Sequence, residues 1–407
     1  SPPREYKRSP GKFTKGTKEK VNVKGALIPH VERVCRENKI DVEKTETGRT
    51  STSKQVLSNL APLDATLKEY QGRQALSKLV TTYFPAMEFP RQSGFLADSI
   101  HPQYDPLKKT GRISSRGNSS RNKTPLYASV NVQQVDPRVR GCYVPREGYL
   151  YLSADYSALE LCCLADDVYK TYKRSNLRDQ LNSGIDPHAY LGAVLAGRSY
   201  EEFLRLKTTQ PDYYKYWRTL AKPVGLGYPG GMGVKTMVKT CAGYGINIDQ
   251  DRAWELRDLW LETYPVMREY LAFDGDENRE YRSALGMIRA GCNYTQYCNG
   301  RGLQTPGAEG MKLATFRICK EAYDGGFLTG CHFIASIHDE VLMEVPDNEH
   351  AHIHAEMVRV IMVEEMKKIL TSMNDKAVKV EPALMTRWDK RAEPVYNEAG
   401  ELTVWEM

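Results

Sequence analysis

Apolar and polar residues alternate with a period of two in three short segments of the chain, which predicts β-strands. The first segment, residues 149–155, is rich in β-prone residues and ends on Asp155. The other two, residues 332–337 and 341–345, flank a short polar segment, so we expect a hairpin with Asp339 in its turn. Apolar residues at helical spacing over residues 348–373 predict a long amphipathic helix after the hairpin.

Helical spacing also runs through residues 25–96, most clearly over residues 53–60 and 67–83. The first of these two helices is expected to be capped by one of three hydroxyl side chains, Thr50, Ser51 or Thr52. Residues 1–25 are rich in Lys, Pro and Gly and are expected to be loosely ordered.

A second long helical region is predicted over residues 158–285, with one glycine-rich break at residues 225–233. Residues 100–145 are rich in Gly, Ser, Pro and Arg and are expected to form loops and short strands. No internal repeat is evident along the chain.

The chain has 407 residues, 41% of them hydrophobic, which is enough for two or three domains or one domain with large lobes. No run approaches the ~20 apolar residues that span a bilayer, so no membrane partner is expected. No secretory signal is evident. The first residue is not Met, so we expect a fragment of a longer protein. Nine cysteines without a Cys-x-x-Cys pair favour a reducing, intracellular setting, with Cys162 and Cys163 in the core.

The net charge of +6 is concentrated at one end of the chain. Residues 1–50 carry 13 Lys and Arg against 7 Asp and Glu, a difference of 13 − 7 = +6 that equals the excess of the whole chain. A basic end on a near-neutral body indicates a polyanionic partner such as nucleic acid. A solvated terminal tail accounts for the charge equally well, and charge alone leaves both interpretations open.

Two aspartates stand at the ends of predicted strands. If the strands of Asp155 and Asp339 are neighbours in one sheet, their carboxylates converge, and oxygen ligands of this kind suit Mg²⁺. Two such ions would activate an attacking hydroxyl and stabilise a leaving phosphate. The alternative is that each aspartate only caps a turn.

Three segments around these residues resemble, in order, motifs A, B and C of family A DNA polymerases, the group of bacterial DNA polymerase I and phage replicative polymerases. Motif A matches residues 153–160, motif B matches residues 218–222 followed by Gly227 and Gly231, and motif C matches residues 337–340. Further resemblance lies in residues 110–115, 131–134, 186–188, 303–308 and, for the thumb, 47–79. In all it covers about residues 45–390.

The resemblance implies an α+β right-hand fold with an antiparallel-sheet palm, helical fingers and a helical thumb. The thumb is expected over residues 1–98, the palm over 99–165 and 285–407, and the fingers over 166–284. It implies a template-directed DNA polymerase that adds deoxynucleotides to a primer 3′-hydroxyl and releases pyrophosphate. No 3′→5′ exonuclease domain is expected in this chain, because fewer than 50 residues precede the thumb match.

By resemblance, Asp155 and Asp339 are the metal-binding carboxylates, and Tyr156 adds a backbone carbonyl. The expected cofactor is a pair of Mg²⁺ ions, with Mn²⁺ as a substitute. Glu340 is expected to support this catalytic geometry or contact the primer, and His338 is expected to touch the primer end.

Nucleotide binding is implied for a further set of residues. Arg218 and Lys222, four apart on one helix face, would grip the triphosphate, and Lys222 would also protonate the leaving pyrophosphate. His188 would contact the same phosphates, and Glu160 would act as the gate that excludes a ribose 2′-hydroxyl. Primer-template contacts are implied for three residues that follow the family pattern: Arg112, Gln133 and Gln304. Arg112 and Gln304 would read the minor groove, where acceptors are placed alike in all base pairs.

Motif B departs from the family pattern. Leu226 stands where the family has an aromatic residue, and Gly230 and Gly231 replace a Tyr-Gly pair. Pro223 directly follows Lys222, which is expected to bend the helix and disturb the nucleotide platform. After such a bend, Tyr228 is expected to supply the missing aromatic surface for the nucleotide.

Two alternatives from other classes stay open at this stage. A single-subunit RNA polymerase shares the logic of two aspartates but lacks the Glu at the position of Glu160 and the His-Asp-Glu form of motif C. A non-catalytic DNA clamp or scaffold could lose its carboxylates, yet both are present.

The expected partners are primer-template DNA, deoxynucleoside triphosphates and processivity or replisome proteins. The expected location is the cytoplasm, or the host cytoplasm if the protein is phage-encoded.

Overall fold

The computed structural model describes residues 8–9, 12–13, 23–45, 47–87, 99–117, 129–272 and 279–406. The chain divides into two compact units, Ser1–Lys78 and Leu79–Met407. Most of residues 1–25, expected to be loosely ordered, lies outside the described residues. The exceptions are the start of the first helix and a pairing of two short strands, Arg8–Ser9 (β1) with Lys12–Phe13 (β2).

The first unit is built from three helices, α1 (Val23–Glu37), α2 (Lys54–Leu60) and α3 (Ala65–Lys78). Their apolar faces share a small core of buried side chains: Val31, Val34, Cys35, Val56, Leu57, Leu60 and Leu67. The predicted helix over residues 53–60 is therefore confirmed as α2, and the one predicted over residues 67–83 is present as α3 followed by a π-helical turn at Leu79–Tyr83.

The cap of α2 differs from the prediction. The helix begins at Lys54, so Ser53 is the capping residue, and its hydroxyl accepts from the N–H of Val56 at 3.2 Å. Thr50, Ser51 and Thr52 lie too far ahead of the first turn, because a capping side chain reaches only two or three residues forward.

The second unit begins with a π-helical turn, Leu79–Tyr83, and continues with strands and helices along the rest of the chain. The strands are β3 (Gln103–Asp105), β4 (Ser114–Arg116), β5 (Tyr149–Ser157), β6 (Arg279–Arg282), β7 (Ile288–Cys292), β8 (His332–Ile337), β9 (Glu340–Pro346), β10 (Lys379–Met385), β11 (Val395–Tyr396) and β12 (Leu402–Trp405). The helices are α4 (Pro137–Arg140), α5 (Leu159–Tyr172), α6 (Asn176–Asn182), α7 (Pro187–Leu195), α8 (Tyr200–Thr209), α9 (Pro211–Gly227), α10 (Val234–Gly243), α11 (Gln250–Thr263), α12 (Met267–Leu271), α13 (Tyr294–Asn299), α14 (Thr305–Tyr323) and α15 (Ala351–Ile369).

A six-stranded sheet forms the centre of this unit, in the order β11-β12-β10-β5-β9-β8. The pairs β8·β9, β9·β5 and β5·β10 are antiparallel, as predicted for the palm, and β12 adds to β10 in parallel. The strand over residues 149–155, the 332–345 hairpin and the α+β class are thereby confirmed. The long helix predicted over residues 348–373 is also present, as α15.

The two faces of the sheet bury different cores, because successive side chains of a strand point to opposite sides. One face packs against the helices through Leu152, Val341 and their neighbours, and it joins the largest core of the molecule. The other face carries a smaller apolar cluster that includes Tyr151, Leu342 and Trp388. Towards the end of β5 this second face changes from apolar to acidic.

A helical lobe follows α5 and comprises α6 to α12. Its helices pack around fully buried side chains such as Phe203, Trp260 and Met237. The helix α9 continues through Pro223 to Gly227, so the proline does not end it. Gly231, with φ of +78°, then turns the chain, as only glycine does at low steric cost.

In the part of the chain that the structure describes, every helix is too short or too polar to span a bilayer. All nine cysteines are free, and Cys162 and Cys163 are buried in the core, as predicted.

The crossing of α14 over α15 depends on a small residue. A Cβ added at Gly310 would lie 2.3 Å from the Sδ atom and 3.3 Å from the Cα atom of Met366. We therefore predict that Gly310→Ala lowers the free energy of unfolding by about 1–3 kcal/mol, the usual cost of overpacking. Thermal and chemical denaturation measure this change.

Gly72→Ala is the matched control, because Gly72 also lies in a helix but a Cβ added there would meet no neighbouring atom within 4 Å. This substitution should be neutral or stabilising by up to about 1 kcal/mol. A Gly310→Ala protein as stable as the wild type would contradict the tight crossing.

Candidate active site

Two aspartates lie at one end of the six-stranded sheet, one on a strand and one in the turn that leads into the neighbouring strand. Asp155 is near the end of β5, and Asp339 is in the turn that joins β8 to β9. The N–H of Tyr156 donates to the carbonyl oxygen of Asp339 at 3.3 Å, and Asp155 is paired directly with Glu340. Opposed residues of an antiparallel pair point to the same face, so Asp155 and Glu340 share the acidic end of the sheet.

Like charges and burial shift the titration of both aspartates. Asp155 is exposed at its surface, but partial burial of its carboxyl among the surrounding atoms, and after it the charges of Asp339 and Glu340, raise its pKa to about 7. The pKa of Asp339 is also raised, first by burial. The charge of Asp339 therefore disfavours the ionised form of Asp155, as expected at a site where a cation would offset the acidic charge.

The donor set at this end of the sheet fits a divalent ion that prefers oxygen. Within the described ranges, no three His, Cys, Asp or Glu side chains form a group that could hold a metal by themselves. Mg²⁺ does not need such a cage, because it keeps waters and binds substrate phosphates beside one or two carboxylates. The side chain of Tyr156 is buried and donates to the carbonyl of Met362, so only its backbone carbonyl is a candidate ligand.

Glu340 is held in place by a neighbouring side chain on β5. The Ser153 hydroxyl donates to its Oε1 atom at 2.7 Å. Burial raises the pKa of the Glu340 carboxyl, which Ser153 and the charge of Arg140 partly offset. Arg140 is itself buried, with its guanidinium carbon 4.4 Å from the centroid of the Trp388 ring.

An ion pair lies beside Asp339. Arg112 donates through Nη2 to the Oε1 atom of Glu160 at 2.6 Å, and about a third of each side chain is exposed. The charges of both residues act on Asp339, Arg112 lowering and Glu160 raising its pKa. The predicted minor-groove reader and the predicted sugar gate are thus paired with each other next to the carboxylates.

His338 occupies the first position of the hairpin turn with φ of +61° and is exposed. A residue with a side chain is rare in this left-handed region, and such strain of about 1–3 kcal/mol is concentrated at functional sites. Gln304 ends a second π-helical segment, Gly300–Gln304, and is half-buried. Short π-helical segments are likewise frequent at functional sites.

The side-chain amide of Gln133 makes hydrogen bonds within the protein. Its Oε1 atom accepts from the N–H of Ser115 at 2.9 Å, and its Nε2 group donates to the carbonyls of Ile113 and Ser336 at 3.0 and 3.2 Å. These three bonds use the amide to join β4 to the edge strand β8, which gives Gln133 a structural role, and its primer-template contact stays a prediction.

A second group of predicted residues gathers in the helical lobe. Arg218 and Lys222 lie one turn apart on α9, and His188 lies in the first turn of α7. Burial lowers the pKa of His188 to about 4, and burial followed by the charge of Arg218 lowers the pKa of Lys222. The mutual repulsion of these groups indicates that they surround one location suited to an anion.

Tyr228 does not provide an aromatic surface for a nucleotide. Its side chain is 1% exposed, and its hydroxyl donates to the carbonyl of Ala253. The helix α9 runs on to Gly227 and thus turns Tyr228 into the lobe core, so this prediction is wrong. Leu226 is half-buried and packs against the same core.

Several residues near these groups escaped sequence reasoning. Glu381 on β10 is opposite Asp155 and raises its pKa. The charge of Arg140 lowers the pKa of Glu340, but no local pattern links two residues so far apart in the chain. Asp186 carried a usable signal, because an aspartate directly before a proline is typical of a helix N-cap.

Comparison with known proteins places the chain among polymerases. A model of DNA polymerase family A matches residues 29–389. DNA polymerase I of Aquifex aeolicus is 23% identical over 361 residues, which covers 86% of this chain and 56% of that protein. DNA polymerase I of Streptococcus pneumoniae (strain ATCC BAA-255 / R6) is 25% identical over 370 residues, covering 84% and 36%. The chain thus spans about half the length of the first relative and about a third of the second.

The fold is similar to that of a solved polymerase domain. The POL domain of Pol1 from M. smegmatis, in complex with DNA primer-template and dNTP, superposes with a TM-score of 0.64. The two chains are 19% identical, and the match covers 88% of this chain and 60% of the other.

We predict that Asp155→Asn stabilises the metal-free protein at pH 8. The pKa of Asp155 is raised in the folded state, so its charge opposes folding at pH above about 7, and the penalty disappears as pH falls towards 4. After allowance for solvent screening, the gain should be roughly 1–2 kcal/mol. Denaturation in chelator at pH 8 and pH 5 measures it, and the gain should shrink at the lower pH.

Asp324→Asn is the control, because Asp324 is exposed at the end of α14. It should not change stability at either pH. An Asp155→Asn protein less stable than the wild type at pH 8 would show that the carboxylates do not repel each other.

Proposed function

Because this chain belongs to DNA polymerase family A, we propose that it extends a primer on a DNA template by adding deoxynucleotides to the 3′-hydroxyl and releasing pyrophosphate. The observation that carries the proposal is the position of Asp155, near the end of β5, beside the β8–β9 turn that holds Asp339, at the acidic end of the sheet. Nucleotidyl transfer needs little covalent chemistry from the protein. It needs positioning and charge stabilisation, which two fixed carboxylates and a cationic lobe would supply.

Asp155, Asp339 and the backbone carbonyl of Tyr156 would hold a pair of Mg²⁺ ions, with Mn²⁺ as a substitute. When bound, such ions make the attacking hydroxyl more acidic and neutralise charge on the phosphate. The strands themselves keep the carboxylates aligned, and the Ser153 hydroxyl holds Glu340 beside them. His338, exposed in the turn, would contact the primer end.

The cations of the helical lobe would orient the triphosphate. Arg218 offers a planar fork to phosphate oxygens, and Lys222 and His188 lie beside it. The lowered pKa of Lys222 makes its ammonium group a better acid, which suits it to protonate the leaving pyrophosphate.

Sugar selection and duplex contact are proposed for the Arg112–Glu160 pair. Glu160, in the first turn of α5, would exclude a ribose 2′-hydroxyl by its size. Arg112, with Gln304, would contact minor-groove acceptors of the primer end, where all base pairs look alike. The ion pair would hold both side chains in place until a primer and nucleotide arrive.

The proposed partners are primer-template DNA, deoxynucleoside triphosphates and processivity or replisome proteins. The M. smegmatis POL domain, similar in fold, was solved with the first two.

We further propose that residues 1–98 form the thumb, 99–165 and 285–407 the palm, and 166–284 the fingers. Free cysteines throughout suit a reducing intracellular setting.

The central prediction concerns the two aspartates. With primer-template, Mg²⁺ and deoxynucleotides, the wild-type protein should extend the primer, and Asp155→Asn or Asp339→Asn should reduce the rate at least ~10²–10³-fold, a loss typical of a key electrostatic group. Chelator should abolish extension, and Mg²⁺ or Mn²⁺ should restore it. Single-turnover extension assays measure the rates.

Asp324→Asn again serves as the matched control and should extend at the wild-type rate. Ribonucleotides in the same assay distinguish an RNA polymerase, which would use them well. Retained synthesis by either active-site variant would refute the proposed site, and no synthesis by the wild-type protein would refute the function.

Leu226 generates a further prediction about sugar discrimination. It lacks the hydroxyl that helps some family members accept dideoxynucleotides, so the wild type should incorporate them poorly. Leu226→Tyr should raise the ratio of dideoxy to deoxy incorporation roughly two- to tenfold, the worth of one hydrogen bond. Leu226→Phe is the control for ring size, and equal kinetics for wild type and Leu226→Tyr would count against the idea.

A further inference from the structure

The carboxylate of Asp186 accepts four hydrogen bonds at the edge of the helical lobe. Its Oδ1 atom accepts from the backbone N–H groups of His188 and Ala189, at 2.9 and 3.1 Å, and so caps α7. Its Oδ2 atom accepts from Nε and Nη2 of Arg218, at 3.1 and 2.9 Å. A helix N-terminus combined with a guanidinium fork is the donor set that proteins use for phosphate oxygens.

The Asp186 carboxylate therefore fills a site whose donors would otherwise suit a bound phosphate. Burial raises the pKa of the Asp186 carboxyl, but the charge and hydrogen bonds of Arg218 outweigh burial and hold the pKa below its usual value. The carboxylate is thus ionised at neutral pH, and it neutralises the guanidinium that it contacts.

The ion pair remains within reach of a ligand. The Arg218 and Asp186 side chains are 33% and 36% exposed, so the pair is not sealed in the core. Ion pairs with this much exposure are weak enough for a multivalent anion to displace them. The bond to Asp186 uses the Nε and Nη2 groups, the same edge of Arg218 that would form a fork with a phosphate.

The neighbouring donors are not satisfied in the same way. The Nδ1 atom of His188 is buried and has no hydrogen-bond partner among the described residues. Lys222 lies one helical turn from Arg218, and within the described ranges its ammonium group makes no ion pair. The described cluster thus has one cation paired with Asp186, one cation without an ion pair and one polar nitrogen without a hydrogen bond around a single location.

We propose that Asp186 is a built-in competing anion, which a nucleotide triphosphate or pyrophosphate must displace from Arg218 when it binds. This inference rests on the proposed function, in which Arg218 binds the triphosphate. The exchange would weaken ground-state binding, because part of the attraction to phosphate replaces an existing ion pair. It would also speed the dissociation of pyrophosphate, since Asp186 can form its ion pair with Arg218 again.

The test is Asp186→Asn, which removes the charge and keeps the cap, because asparagine accepts the same two backbone N–H groups. Equilibrium binding of dGTP, with primer-template and Ca²⁺ to prevent turnover, should tighten about three- to tenfold. Binding of magnesium pyrophosphate should tighten similarly, and steady-state kcat should fall if product release becomes slower. Asp186→Ser, a second uncharged capping residue, should behave alike and guards against a folding defect of one variant.

Two controls isolate the ion pair. Asp249→Asn makes the same change at the N-cap of α11, where Asp249 accepts from the N–H of Arg252 at 2.7 Å, and it should leave both dissociation constants unchanged. In an Arg218→Gln background, Asp186→Asn should change the dissociation constants less than twofold, because its effect acts through Arg218.

Unchanged or weaker binding of dGTP and pyrophosphate by a folded Asp186→Asn protein would overturn the inference. Weaker binding would mean that Asp186 positions Arg218 for the phosphate rather than competing for it. The proposed function fails by a different outcome, which is that the wild-type protein neither binds dGTP nor extends a primer.

Discussion

The register of β5 against β9 is the constraint on which the site depends. Asp155 is opposite Glu340 because Leu152 is opposite Met343 and Ala154 is opposite Val341, all buried against the helices. A slip by one residue would turn every side chain of a strand to the other face and move these apolar groups out of the core. The apolar pattern that folds the sheet therefore also sets which acids meet.

The acidic end of the sheet is a local cost that the rest of the sheet offsets. Asp155, Asp339 and Glu340 all have raised pKa values, so their charges oppose folding near neutral pH. Both faces of the sheet behind them are filled with apolar side chains, and each one that is fully buried stabilises the fold by roughly 1.5–3 kcal/mol. A rigid apolar platform can thus hold like charges together, which a loop could not do without moving them apart.

Much of this arrangement could be predicted from the chain, because the patterns are local. Alternation predicted β5, β8 and β9, and the short turn predicted where Asp339 lies. What could not be predicted depends on contacts between distant segments. The burial of Tyr228 follows from helix α9 running on past Pro223, and the use of the Gln133 amide follows from the edge of β8 needing partners. A short sequence pattern predicts neither the direction in which a proline-containing helix continues nor the segment that pairs with a sheet edge.

The two proposed substrate-binding groups share a further physical feature, since each holds its arginine against a carboxylate. Arg112 pairs with Glu160 beside the palm acids, and Arg218 pairs with Asp186 in the helical lobe. A single weak anion gains little binding free energy from an arginine that is already paired, because its contact only replaces the existing one. A ligand with several charges at fixed spacing gains more binding free energy, since it can bind the guanidinium group and contact a neighbour such as Lys222 at the same time. Pre-paired arginines would therefore favour polyphosphates and nucleic acid over the monovalent anions that surround them in solution.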